Sequence, residues 1–175
     1  MTGETPTPDA AGGAQHQQAG PPVAILAQYI KDMSFEAPSA PGIFAQMQQE
    51  QPDISVGLDV NANRQQDGTF EVVLQANVSC KAGVATAFLM ELTYGGLFRV
   101  NVPDEHLQAI LLIECPRLLF PFVRAIIADS TRDGGFPPLM LAPVDFVAMF
   151  QNKMQEMAAA QAQAQGAAPS PEGHA

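Results

Sequence analysis

The stretch Phe70-Glu-Val-Val-Leu-Gln-Ala-Asn-Val-Ser-Cys-Lys81 decides the fold class. Phe70, Val72, Leu74, Ala76, Val78 and Cys80 alternate with Glu71, Val73, Gln75, Asn77, Ser79 and Lys81. A strand sends successive side chains to opposite faces, so this pattern predicts a half-buried strand with one apolar and one mostly polar face. Past a turn at Gly83, Thr86, Phe88, Met90, Leu92 and Tyr94 alternate with Ala87, Leu89, Glu91 and Thr93. Upstream, Ile54, Val56, Leu58 and Val60 alternate with Ser55, Gly57, Asp59 and Asn61, and Gln65-Gln66-Asp67-Gly68 makes the turn. Together the three segments predict an antiparallel meander.

A fourth extended segment spans residues 25–36, with Ile25, Tyr29, Met33 and Phe35 on one parity and Leu26, Ile30, Asp32 and Glu36 on the other. Its poorly sorted faces fit an edge strand, or one that pairs with another chain. Pro38 to Pro52 reads as a loop with a helical turn near Ile43.

After Val100 the periodicity becomes helical. Pro103-Asp104-Glu105 places proline and two acids where a helix N-terminus favours them. The run from Leu107 to Ala128 is apolar on almost every side, which predicts burial from two directions. Pro116 and Pro121 lie inside it, and each is expected to kink or break the helix. So apolar an element in so small a domain points to a subunit interface. A proline-rich apolar loop over residues 136–143 then leads to an amphipathic helix from Val144 to about Met157.

The 175 residues suit one domain with disordered ends, placed at residues 1–22 and in the Ala/Gln-rich stretch 158–175. Eighteen acids against eight Lys and Arg give a net charge of −10, and only Glu4, Asp9 and Glu172 among the acids fall in those ends. The acidity belongs to the domain at residues 23–157. Nucleic acid and anionic membranes are recognised through Lys and Arg, so neither is expected as a principal partner, whereas a basic protein is. The opening residues lack a secretory-signal pattern, and the apolar run 109–113 is too short to span a bilayer. Cys80 and Cys115 lie among apolar neighbours, as reduced thiols of a cytoplasmic protein do.

No catalytic constellation emerges, and none is expected. His16, His106 and His174 are scattered, and no His/Cys spacing resembles a metal site. Gly95-Gly96 and Gly134-Gly135 lack the context of a phosphate cradle and read as turns. Ser34 and Ser79 have no histidine placed to activate them, and Glu114 reads as a solvated or interface-paired carboxylate. Two features remain for binding. Asp32 and Glu36 share a strand parity, and Glu91 joins Leu89 on the polar parity of another strand; pattern alone also allows a merely solvated face. The apolar loop 136–143 beside a Met- and Phe-rich helix suits a surface for varied hydrophobic peptides, but equally a core.

The block Asp32-Met-Ser-Phe-Glu-Ala-Pro-Ser-Ala-Pro41 resembles the KD-x-SFE-x-P-x-AP signature of the SecB family of protein-export chaperones. Glu71-Val-Val-Leu, Ala87-Phe-Leu-Met-Glu91, Cys115-Pro-Arg-Leu-Leu-Phe-Pro121 and Phe136-Pro-Pro-Leu-Met-Leu-Ala-Pro-Val144 resemble the same family, in order, across the whole predicted domain. The resemblance implies an α+β fold, a four-stranded antiparallel sheet with two helices packed on one face. It also implies a cytoplasmic homotetramer, a dimer of dimers, that binds unfolded secretory precursor proteins without ATP or another cofactor and delivers them to the SecA ATPase. Asp32, Glu36, Leu89 and Glu91 match the family's SecA-binding positions, which face a basic, zinc-bearing segment of SecA. A client groove is expected near the loop before the last helix, at Phe136, Leu139, Leu141, Phe146 and Phe150. A structural oligomer, or a general hydrophobic-peptide binder without a role in export, is the alternative.

Overall fold

A computed structural model of the protein describes residues 21–166, with side chains as far as residue 160. In chain order the elements are strand β1 (Val23–Glu36), helical turn α1 (Ile43–Gln46), and strands β2 (Asp53–Arg64), β3 (Phe70–Ala82) and β4 (Ala85–Val100). Helix α2 (Asp104–Ala109) runs through a π turn (Ile110–Glu114) into α3 (Cys115–Asp133), and α4 spans Phe146–Gly166. The strands form one antiparallel sheet in the order β1-β4-β3-β2. The expected meander is present, and β1 crosses over to pair with its last strand.

Alternation in β3 and β4 translates directly into burial. Val72, Leu74, Ala76 and Val78 lie opposite Gly96, Tyr94, Leu92 and Met90, and this row is covered by helix. Gly83 closes the β3–β4 hairpin at φ 55, a conformation that costs a residue with a Cβ. In the β2–β3 turn the Asp67 carboxylate accepts hydrogen bonds from the Thr69 amide and hydroxyl.

The mixed parity of β1 has a local cause. Its pairing with β4 slips between Ile25 and Ala27 and again between Ile30 and Asp32. Each slip inserts one residue and reverses which face the following side chains take. Ile25, Gln28, Ile30, Met33 and Phe35 therefore lie opposite the helix-side row of β4, while Ala24, Ala27, Tyr29, Asp32, Ser34 and Glu36 lie opposite its outer row.

Helix α3 covers β3 and β4 through one ladder of side chains. Cys115, Leu119, Val123, Ile127 and Thr131, each four residues from the last, are all fully buried. Burying each of the larger apolar members is worth about 1.5–3 kcal/mol. The expected break at the prolines does not occur. Pro116 sits in the first turn of α3 directly after the π turn, where the helix is already rewound. Pro121 lies inside α3 on its exposed side, where solvent can reach the carbonyl its missing N–H leaves free.

Gly95 and Gly96 are not a turn but the middle of β4, where each face needs a bare backbone. A Cβ on Gly95 would lie 2.7 Å from the Tyr29 ring, and one on Gly96 would lie 2.6 Å from Phe98 and 2.8 Å from Leu119. Helix α4 begins after Asp145, whose carboxylate accepts from the Val147 and Ala148 amides. It continues to Gly166, beyond the expected boundary at 157, because Ala and Gln sustain a helix once it has started. Expectations for residues 1–20 and 167–175 lie outside the described residues.

Candidate functional site

Among the described residues the outer face of the sheet carries no helix. There the β1–β4 register sets Asp32 opposite Thr93, Ser34 opposite Glu91 and Glu36 opposite Leu89. The four residues expected at a SecA site thus share one face of two adjacent strands, and all four are exposed. The second slip in β1 is what turns Asp32 and Glu36 to this side. Among the described residues none of the three carboxylates takes part in an ion pair. A hollow of about 330 Å³ extends from Leu89 and Glu91 across Asn77 and Ser79 to Ser55 and Gly57.

Further along the same face Tyr29 lies over Gly95 and donates to Glu71 Oε1 at 2.7 Å, and Lys31 Nζ reaches the same oxygen at 2.8 Å. The hydrogen bonds from Lys31 and then Tyr29 hold the Glu71 carboxyl below its ordinary range. Burial, with the hydrogen bond and charge of Glu71, pushes the Tyr29 phenol up to about 12. One end of this face is therefore neutralised internally, and the end bearing Asp32, Glu36 and Glu91 is left negative.

The loop after α3 folds back onto that helix. Phe136 N donates to the Thr131 carbonyl, and Leu139 N donates to Thr131 Oγ1 at 2.9 Å. Phe136 enters an aromatic cluster, its ring centroid 4.9 Å from Phe88 and 5.1 Å from Phe44. It forms the floor of a cavity of about 480 Å³ walled by Phe44, Met47, Pro52 and Pro137. Beside Pro52 on β2, Ile54 and Val56 stand on the helix-side face yet remain 43% and 40% exposed. The cavity thus lies between α1, the loop and Pro52, with Ile54 and Val56 exposed on the strand that follows.

The expected groove residues divide. Phe136 lines this cavity from below, and Leu139 and Phe150 are half-buried. Leu141 and Phe146 are buried in the core, as Phe136 is, with Phe146 packed edge-on against Phe120 at 5.9 Å. Loop and helix turn inward at those positions, and an inward and an outward apolar side chain look alike in sequence. The sequence does not single out Phe44 and Met47 as walls of this cavity, nor Ile54 and Val56 as exposed apolar residues beside it. For Ile54 and Val56 the signal is an apolar parity on β2 beside a loop that holds only one helical turn.

Neither thiol is set up as a nucleophile. Cys80 and Cys115 are buried, and burial together with Glu114 pushes the Cys115 thiol up to about 12. Glu114 pairs with Arg117 at 2.8 Å. Among the described residues no three of His, Cys, Asp and Glu gather as metal ligands, and no helix is long and apolar enough to cross a membrane.

Among the described residues the sheet is roofed by helices on one side and bare on the other, and its acidic patch and apolar cavity are surfaces suited to binding. Residues 16–157 match the family described as preprotein translocase subunit SecB. The protein-export protein SecB of Bradyrhizobium sp. (strain BTAi1) is 54% identical over 151 residues, covering 85% of this chain and 93% of that protein. That of Xanthobacter autotrophicus is 52% identical over 145 residues, covering 82% and 92%. Among solved structures, the Mycobacterium tuberculosis Rv1957 SecB-like chaperone, in complex with a ChAD peptide from the Rv1956 HigA1 antitoxin, superposes with a TM-score of 0.60. It is 15% identical, and the match covers 70% of this chain and 91% of that one. The chain belongs to the SecB family, and by that membership is a protein-export chaperone.

Proposed function

We propose that this protein binds unfolded secretory precursors in the cytoplasm without ATP, keeps them competent for translocation and passes them to SecA, working as a homotetramer built as a dimer of dimers. The observation that carries the reading is the pairing of two unlike surfaces on opposite sides of one sheet. Asp32, Glu36, Glu91 and Leu89 form an exposed acidic patch around one apolar contact, suited to a basic segment of SecA. The cavity at Phe44, Met47 and Phe136, with Ile54 and Val56 exposed on the strand after Pro52, offers apolar surface suited to an extended, unfolded chain.

Each cavity offers only a few contacts, so holding depends on several acting together. A long unfolded chain that occupies the cavities of several subunits gains avidity while every single contact stays reversible. Folding hides the client's apolar segments, so slow folders are retained and fast folders escape. With the sheet between the two surfaces, SecA can dock without first displacing the client.

Titration calorimetry with a basic SecA peptide and capture of an unfolded precursor test the two surfaces separately. Glu91→Lys is expected to weaken the peptide by about 1–3 kcal/mol, less in high salt, with client capture unchanged. Ile54→Ser combined with Val56→Ser is expected to reduce client capture and leave the peptide affinity intact. Equal peptide affinity for Glu91→Lys and parent would remove the acidic patch from SecA docking. A parent that does not keep an unfolded precursor soluble would leave a structural oligomer.

A further inference from the structure

The segment between α3 and α4 hangs from one residue. Phe136 N–H donates to the Thr131 carbonyl at 3.0 Å, and Leu139 N–H donates to Thr131 Oγ1 at 2.9 Å. Pro137, Pro138 and Pro143 have no N–H to give. Among the described residues the Leu139 bond is the only hydrogen bond that the backbone of 137–144 makes to the rest of the chain. Thr131 is fully buried, and its hydroxyl proton is committed to α3, where the Ile127 and Ala128 carbonyls lie at 2.9 and 3.0 Å. The oxygen keeps its lone pairs for an acceptor role toward the segment. Gly135, Phe136 and Pro137 line the cavity beside α1, whose opposite wall is held separately by Gln46 Nε2 donating to the Ala82 carbonyl at 3.0 Å.

We propose that Thr131 is a positioning residue for client binding: its hydroxyl holds the segment in place as a ready-made wall of the cavity for an apolar side chain of an unfolded polypeptide. The proposal deepens the client-binding reading above and rests on it. Hydrophobic burial of Leu141 and Phe146 anchors the far end of the segment, but such burial is non-directional and does not fix where Phe136 and Pro137 stand. The hydrogen bond at Leu139 is directional, and the fixed φ of Pro137 and Pro138 carries its constraint back to Phe136. A wall already in place adds no ordering cost when a client arrives, whereas a wall released from Thr131 must be ordered at each binding event.

Thr131→Val keeps the shape of the side chain and removes the acceptor, while Thr131→Ser keeps the acceptor and removes the methyl group. The probe is reduced, carboxymethylated lactalbumin, which stays unfolded; its affinity for the full chain is measured per folded protein, with amide exchange at Leu139 followed alongside. In Thr131→Val, Leu139 is expected to exchange faster and probe affinity to fall about three- to tenfold, with affinity for the basic SecA peptide unchanged. Thr131→Ser is expected to restore both readings. Thr131→Ala, which also lacks the acceptor and overpacks nothing, carries the same expectation as Thr131→Val should the latter not fold. Faster Leu139 exchange with unchanged probe affinity would overturn the proposal and leave the bond a purely structural one. Equal losses in Thr131→Val and Thr131→Ser would overturn it too, tracing the effect to packing, as would a parallel loss of SecA-peptide affinity. A parent that does not bind the probe would overturn the client-binding reading itself.

Discussion

Tyr29 spans the width of a strand because Gly95 beneath it has no side chain, and so its hydroxyl reaches Glu71 on β3. Its neighbour Gly96 serves the other face, where Leu119 of α3 and Phe98 close over the backbone. The two glycines predict different costs. Gly96→Ala pushes a methyl group into two fully buried side chains and is expected to cost about 1–3 kcal/mol in urea denaturation. Gly95→Ala meets an exposed ring that can swing aside, and its stiffer unfolded chain offsets the lost hydrogen bond, so it is expected to lie within about 0.5 kcal/mol of the parent. Equal costs would mean that the helix does not approach the sheet as closely as described. Tyr29 also sets a pH response. Between its ordinary 10.0 and about 12, the unfolded chain has lost the phenolic proton while the folded chain keeps it, so stability falls as pH rises through that window. Glu71 acts at the acid end: its folded carboxyl sits below the ordinary 4.5, so its contribution is present above that value and is lost as pH falls. Tyr29→Phe is expected to flatten the alkaline fall, as read from denaturant midpoints against pH.

The last helix depends on a contact that its own sequence does not announce. Lys153 Nζ reaches Asp59 at 2.8 Å and the Val60 carbonyl at 2.7 Å, tying α4 to the outer edge of β2. Burial works to raise the Asp59 carboxyl, but the hydrogen bond and charge of Lys153 outweigh it and hold it below 3.8. Both side chains are partly in water, so Lys153→Met is expected to cost at most about 1 kcal/mol of global stability. It should instead speed amide exchange in α4 beyond residue 150; unchanged exchange there would mean that Phe146 and its neighbours alone hold the helix. Strand β1 was the least legible element for a related reason. Leu26 and Lys31, the residues inserted at its two slips, have ordinary compositions for a strand, and only the register against β4 exposes them. The carboxylates of the acidic patch were visible as residues on polar parities, but their meeting on one face required that register.

For the molecule as a whole, the second half of the prediction about residues 107–128 remains open at the surface of the single chain. The Leu119–Ile127 ladder is buried, while Leu118 and Phe122 on the flank of the same helix are 44% and 48% exposed, with the Phe122 ring stacked on Tyr94. Ile25, Ile30 and Met33 are likewise exposed on the helix side of β1, whose free edge offers unpaired backbone groups. So much uncovered apolar surface on a chain of net charge −10 is expected to be buried by association. Light scattering at micromolar concentration should report about four chains per particle, and a stable monomer would contradict the assembly.

Alternation determined the paired strands, since a sheet with one buried face forces every second side chain to be apolar. Proline and the acids at 103–105 set where the helical half begins, and the count of acids over bases pointed to a basic partner. The tertiary structure alone decided three things. The slips in β1 brought Asp32 and Glu36 beside Leu89 and Glu91, because register is a property of two strands. The π turn and the exposed position of Pro121 kept a proline-bearing helix continuous, because the cost of a missing N–H depends on whether water can replace it. And Phe136, Leu141 and Phe146 all went to the core, Phe136 also bordering the cavity beside α1, because hydrophobicity drives a side chain out of water without saying which surface will receive it.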